Sequence, residues 1–249
     1  MIYKKLKICV FGTNMLAYEL VKFLKKNKIT TQNIITISQN KAKKNQISDY
    51  DFPMSFFKVK KKNYTVSKFN LDSRNDINFL KQEKFDLGLC IGWQRLFSEK
   101  VLSQFKFGIY GWHGSYLKLP DGAGRSPINW SIRLGKKKIY HHLFKYDQSI
   151  DNGDIFELLK INIKKNEYFN DIKIKINKHI LNSSLRLIKS IQNNKLVLKR
   201  QIKKKKKIFF PKITFDDCKI ISKEMSIKIV YDLIRSASHP FKGSYLTKN

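Results

Sequence analysis

Gly108-Ile-Tyr-Gly-Trp-His-Gly-Ser-Tyr-Leu-Lys-Leu-Pro120 carries a histidine, His113, at the end of a short apolar run, and Gly114 and Ser115 leave the chain free to turn around it. Farther along, Asp151-Asn-Gly-Asp-Ile155 follows a second apolar run, with Asp151 in a β-turn. The two runs predict strands over Phe107–Trp112 and His141–Lys145. Between them, Asp121-Gly-Ala-Gly-Arg-Ser-Pro-Ile-Asn-Trp130 is a glycine-rich turn leading into a helix that begins at Pro127 and stops at Gly135. Two such strand ends converge if both strands lie in one parallel sheet, setting an imidazole beside a carboxylate. That carboxylate favours the protonated ring and fixes its orientation. A histidine so placed exchanges a proton near neutral pH. Taken singly, His113 reads equally well as a hydrogen-bonded structural side chain, and Asp151 as a turn or cap residue.

Outward from this stretch the chain reads as α/β. Lys7–Phe11 is a short apolar strand, Gly12-Thr-Asn14 a turn, and Leu16, Leu20, Phe23 and Leu24 the inward face of a helix; Asn33–Ser38 is a second strand. Strand, glycine, helix, strand opens a βαβ unit. A lone Gly12 serves a tight turn and falls short of a dinucleotide fingerprint. Gln39–Lys62 is polar and irregular; Phe52, Pro53, Phe56 and Phe57 either rim a site or cover the sheet. Asp76–Gln82 is helical, Phe85–Ile91 a buried parallel strand and Glu99–Gln104 another helix. Gly92-Trp-Gln-Arg-Leu-Phe97 follows that strand at the edge where open α/β sheets bind ligands, although Trp93 also suits a hydrophobic cap. Beyond about residue 165 the rhythm changes. The Lys/Ile alternation at Ile172–Ile176 predicts an exposed strand, 178–193 a helix, Lys206–Pro211 a strand and Ser222–Ser236 an amphipathic helix. The expected fold is a Rossmann-like, open, parallel-dominated sheet over 1–160 and a small α+β part over 161–249.

Composition bounds the function. At 249 residues and 42% hydrophobic, the chain can bury a substantial core and is not a disordered polymer. Nothing at the N-terminus resembles a signal peptide, and no stretch approaches the roughly 20 apolar residues that span a bilayer. Cys9, Cys90 and Cys218 are scattered, suggesting neither a zinc site nor a disulfide framework; a cytoplasmic setting is expected. The net charge of +32 would attract polyanions. Yet only seven of the 51 basic residues are arginine, the side chain that grips phosphates bidentately. Lysine is spread among Asn and Ile along the whole chain, which reads as a solvated, biased surface, and Lys203–Lys207 as a flexible basic edge.

Together the motifs are more specific than any one of them. His113-Gly-Ser-x-Leu-x-x-Pro, then Gly124-Arg-Ser-Pro-Ile-Asn-Trp130, then Asp151-x-Gly-Asp-Ile155 follow the order and approximate spacing of the folate-dependent formyltransferases, and the chain resembles that family. Tyr231–Ser244 is similar to the segment after the catalytic domain in sugar and methionyl-tRNA formyltransferases. The resemblance implies N10-formyltetrahydrofolate as formyl donor and an amine that attacks the formyl carbon. It implies that His113 receives the amine proton, and that Asp151 holds His113 and assists protonation of the leaving folate nitrogen. The family supplies a donor to the negative oxygen of the tetrahedral intermediate from an asparagine two residues before the histidine. Here that position is Gly111, with no side chain. Gln94, the Trp112 indole and His142 are open as replacements.

By the same resemblance the pterin lies against the backbone of Arg95, Leu96 and Phe97 and that of Tyr146 through Ile150, Asp147 included. Trp112, Tyr116, Lys118 and Arg125 then face the acceptor, and Arg125, Lys118 and Arg95 are candidate phosphate clamps; Arg125 also reads as a surface arginine at a helix start. No metal ligand is implied. Methionyl-tRNA formyltransferases continue past the point equivalent to Asn249 into a basic tRNA-holding domain, so the expected acceptor is a nucleotide-linked amino sugar. The alternatives are a short methionyl-tRNA formyltransferase-like enzyme and a non-catalytic folate-, nucleotide- or RNA-binding protein of the same fold. Nucleic acid is thus not the favoured partner, and homodimerisation through the C-terminal part stays open.

Overall fold

A computed structural model describes residues 5–45, 47, 50, 63–221 and 224–247. The rim expected around Phe52, Pro53, Phe56 and Phe57 lies outside the described residues. The strands are β1 (Ile8–Gly12), β2 (Asn33–Thr36), β3 (Asn63–Thr65), β4 (Leu87–Ile91), β5 (Gly108–Ser115), β6 (Ala123–Gly124), β7 (Lys138–Lys145), β8 (Ile155–Asn162) and β9 (Phe209–Phe210). The helices are α1 (Met15–Lys26), α2 (Gln39–Lys44), α3 (Arg74–Glu83), α4 (Glu99–Leu102), α5 (Pro127–Arg133), α6 (Phe169–Gln192) and α7 (Ile227–Ala237). Seven strands form one sheet in the order β3-β2-β1-β4-β5-β7-β8, and β6 pairs with β9.

The first five sheet strands are parallel, with Val10 beside Leu89 and Cys90 beside Gly111. β1 and β4 are buried at every position, as expected of parallel strands covered on both faces. β7 runs the other way. The Tyr146 N–H donates to the Ile109 carbonyl at 2.7 Å, while Gly114, at the far end of β5, abuts His141; this pairing of early with late residues is antiparallel. β8 returns antiparallel to β7, tied by Lys145 N–H to Asp154 O at 2.8 Å and Ile163 N–H to Lys137 O at 2.9 Å. The strands carrying His113 and leading to Asp151 are therefore not parallel neighbours, and β5 does not stop before His113 but runs through it to Ser115.

The chain divides into two compact units, 1–112 with 144–156 and 181–199, and 113–143 with 157–180 and 200–249. In the first, Leu16, Ala17, Leu20 and Leu24 bury one stripe of α1, while Phe23 is only half-buried. A Cβ at Gly12 would stand 2.2 Å from Ala17 Cβ, so this glycine lets α1 lie close to its strand. Phe11 packs on Trp93, Phe97 and Phe105 with ring centroids 5.7, 5.0 and 5.8 Å apart, which makes Trp93 a core residue. Ser73 caps α3, and buried Asp76 accepts from Ser67 N–H, Lys68 N–H, Ser73 Oγ and Tyr64 Oη.

In the second unit the stretch Ile172–Ile176 is helical, not an exposed strand. Ile172, Ile176 and Ile180 are buried at four-residue spacing, whereas Ile174 is 60% exposed; helical periodicity outweighs the alternation. The strand expected over Lys206–Pro211 shortens to β9, and the last helix starts at Ile227 with Ser226 as its cap. The Tyr231–Ser244 motif has a structural centre. The Arg235 guanidinium, 4% exposed, pairs with Asp232 at 2.5 Å and donates to the carbonyls of Glu167 and Lys164. Among the described residues no helix is long and apolar enough to cross a membrane.

Candidate active site

Strand alternation puts Ile109, Gly111 and His113 on one face of β5 and Tyr110, Trp112 and Gly114 on the other. The same rule groups His142 and Phe144 on β7, with Tyr146 next after its last residue. Gly111 is decisive. A Cβ at this position would lie 2.5 Å from both Cε2 and Oη of Tyr146, so the phenol fills the volume that any side chain at 111 would need. The Tyr146 ring is wedged edge-on between Phe97 and Phe144, with centroids 5.6 and 5.1 Å away. Its hydroxyl lies beside the thiol of Cys90, which neighbours Gly111 in the β4–β5 register. Burial, with Cys90 and Asp151 nearby, holds the phenol well above its usual titration range, so it stays protonated at neutral pH.

His113 is 7% exposed. Its Nε2 lies 2.6 Å from the Gly122 carbonyl. A carbonyl only accepts, so Nε2 carries the hydrogen and Nδ1 is the basic nitrogen of the neutral ring. Gly122 has φ +74°, and a Cβ there would collide with Ser115 Oγ at 2.0 Å. His142 is buried, and its Nε2 accepts the Leu119 N–H at 3.4 Å. Burial first, then His113 and Lys118, bring its pKa down to about 4, so it is neutral in physiological solution.

Asp151 sits in the left-handed region at φ +48°, a conformation aspartate tolerates in tight turns. The loop around it is organised from within. The Asp147 carboxylate accepts Ser149 N–H at 2.8 Å and Asn152 Nδ2 at 3.0 Å. A Cβ on Gly153 would stand 1.6 Å from the Lys145 carbonyl oxygen, so only glycine closes this hairpin.

The remaining sequence-predicted residues scatter. Gln94 is half-buried and its carbonyl accepts from exposed Arg95, which also donates to Asn45 and lies over the Phe69 ring at 4.8 Å. Leu96 and Ile150 are exposed apolar side chains at 47% and 46%, whereas Phe97 is core at 2%. The Trp112 indole, on the strand face opposite Gly111, donates to Ser183 Oγ at 2.9 Å. Tyr116 packs on Phe210, Lys118 lies over Tyr140, and Arg125 is exposed, with its N–H on the Phe210 carbonyl. A cleft of about 420 Å3 in the first unit is bordered by Glu99, Leu102, Gly108 and Lys145; Tyr146 and Asp147 also line it, but Arg95, Leu96 and Phe97 do not.

Sequence reasoning missed two features. The hydroxyl of Tyr146 was assigned only through its backbone, and a buried chain of His141, His179 and Glu157 was not foreseen. His141 Nδ1 meets His179 Nδ1 at 2.6 Å, and His179 Nε2 meets Glu157 Oε1 at 2.7 Å.

Comparison with known proteins is consistent with this architecture. The chain is 33% identical over 104 residues to methionyl-tRNA formyltransferase of Prochlorococcus marinus (strain MIT 9312), covering 42% of this chain and 31% of that protein. It is 24% identical over 168 residues to the methionyl-tRNA formyltransferase of Thermotoga neapolitana, covering 68% and 53%. The chain thus spans between about a third and about half of the length of these relatives. A sugar N-formyltransferase from Shewanella sp FDAARGOS_354 superposes with a TM-score of 0.72 at 13% identity, over 98% of this chain and 94% of that one. HypX from Aquifex aeolicus in complex with tetrahydrofolic acid superposes with a TM-score of 0.68 at 12% identity, over 95% of this chain and 35% of that one. At such identities these two structures speak for the fold alone. The formyl transferase profile matches residues 4–183, well over half of the sequence, and the chain belongs to the formyl transferase family.

Proposed function

We propose that the protein transfers a formyl group from N10-formyltetrahydrofolate to a primary amine. The observation that carries this reading is family membership across residues 4–183, a span holding the histidine and aspartate motifs together. The tetrahydrofolate bound by a protein of the same fold supports a folate donor. In this reading 1–160 is the catalytic part and 161–249 a C-terminal subdomain. His113 takes the amine proton through Nδ1, the nitrogen left basic by the Nε2 bond to Gly122. Asp151 assists the proton that reaches the leaving folate nitrogen, and Gly111 stands where the family's asparagine would be. Exposed Leu96 and Ile150 supply apolar area for a pterin.

The acceptor divides into two readings. Methionyl-tRNA is favoured by the two curated relatives described above, which bear that name, and the charge of +32 suits a polyanionic substrate. A nucleotide-linked amino sugar is favoured by the end-to-end superposition on a sugar N-formyltransferase. The test is release of tetrahydrofolate from N10-formyltetrahydrofolate, offered methionyl-tRNA and nucleotide-linked sugars bearing an amine at C3 or C4. We expect release with one acceptor class, and a loss of about 10²- to 10⁴-fold in His113→Ala. Binding without turnover across the whole set would sink the enzyme reading and leave a binding protein.

A further inference from the structure

We infer that the Tyr146 hydroxyl is the hydrogen-bond donor to the formyl oxygen during transfer, taking the place left by the absent side chain at position 111. The inference deepens the formyl-transfer reading and rests on it. When the amine nitrogen bonds to the formyl carbon, the carbonyl π electrons move onto oxygen. The carbon–nitrogen bond to folate then breaks, and that nitrogen takes up a proton. Between these events the oxygen is negative, and a fixed donor lowers the barrier.

Three observations converge on Tyr146. Its hydroxyl oxygen stands 2.5 Å from where a Cβ of residue 111 would be, so it occupies the origin of the missing side chain. Gly111 and His113 are two apart on β5 and project to the same face. The thiol beside the hydroxyl is that of Cys90, a weak acceptor that competes little for the O–H. The Trp112 N–H is engaged by Ser183 on the opposite strand face. His142 spends Nε2 on the Leu119 N–H and keeps Nδ1 buried without a partner, so Tyr146 is preferred for its place at residue 111. Glycine and tyrosine fit as a pair, since any side chain at 111 would collide with this tyrosine.

The experiment follows single-turnover tetrahydrofolate release with whichever of methionyl-tRNA or the amino-sugar nucleotides the wild type uses. Tyr146→Phe keeps the ring and removes the hydroxyl. Its kcat is expected to fall about 10²- to 10³-fold, with KM for the formyl donor moving less than about three-fold. Cys90→Ala, which removes only the neighbouring thiol, is expected to stay within about three-fold of wild type. Should Tyr146→Phe fold poorly, the exchange Gly111→Asn with Tyr146→Ala decides. It should recover at least about ten-fold over Tyr146→Ala alone, whereas Gly111→Asn alone should be crippled by the clash. Full turnover in Tyr146→Phe, or no recovery in the exchange, overturns the role of Tyr146 while leaving formyl transfer intact. An inactive wild type overturns both.

Discussion

Two polar clusters in this molecule are built on opposite principles. In the second unit, His141, His179 and Glu157 form a closed chain in which successive ring nitrogens meet a partner at 2.6 and 2.7 Å. In the first, the Tyr146 hydroxyl leans over a glycine, beside the Cys90 thiol. The histidine chain pairs buried groups strongly, and such groups stabilise because leaving one unpaired is costly. The tyrosine hydroxyl instead lies over a glycine. A well-satisfied buried network is best read as structure, and a hydroxyl placed over a glycine as the proposed chemistry.

Breaking the closed chain should cost stability and spare chemistry. His179→Ala leaves a hole and an orphaned His141 N–H, and we expect about 2–4 kcal/mol off the unfolding free energy in denaturant titration. Turnover per folded molecule at low temperature should stay near wild type; a parallel collapse of kcat would erase the distinction between the clusters.

Acid should sharpen the contrast next. The imidazoles of His141 and His142 are depressed below their ordinary value of 6.5, mainly by burial, His142 to about 4. Below pH 6.5 the unfolded chain binds protons that the folded chain refuses, so stability is intact above that pH and declines as pH falls toward 4. For His142 alone the full loss is of order 3 kcal/mol. His142→Gln, which keeps an acceptor for the Leu119 N–H, should flatten the Tm–pH slope over this window. An unchanged slope would show that His142 titrates normally. The smallest effect is expected for Cys90→Ala, within about 1 kcal/mol of wild type by thermal melting. A larger loss would make the tyrosine–thiol pair a structural bond like the histidine chain.

Legibility followed burial and sequence distance. β1, α1, β2 and β4 were readable because continuous apolar runs and a four-residue stripe have few other meanings. α6 was misread at its start, where lysines between isoleucines imitate a strand. β8 gave little signal, with Leu158 and Leu159 both exposed at 41% and 40%. His113 and Asp151 were singled out from local motifs, but the antiparallel course of β7 was not read, since direction is set by pairing. Gly111 drew attention only through the family resemblance. The side chain over it could not be found from sequence, because only the Ile109–Tyr146 register brings Tyr146 there.

The most direct test is a crystal structure of the protein with a non-transferable analogue of the N10-formyl donor. The account predicts Tyr146 Oη within about 2.7–3.1 Å of the oxygen that mimics the formyl group. A formyl oxygen turned away from Gly111 and out of reach of Tyr146 would contradict it.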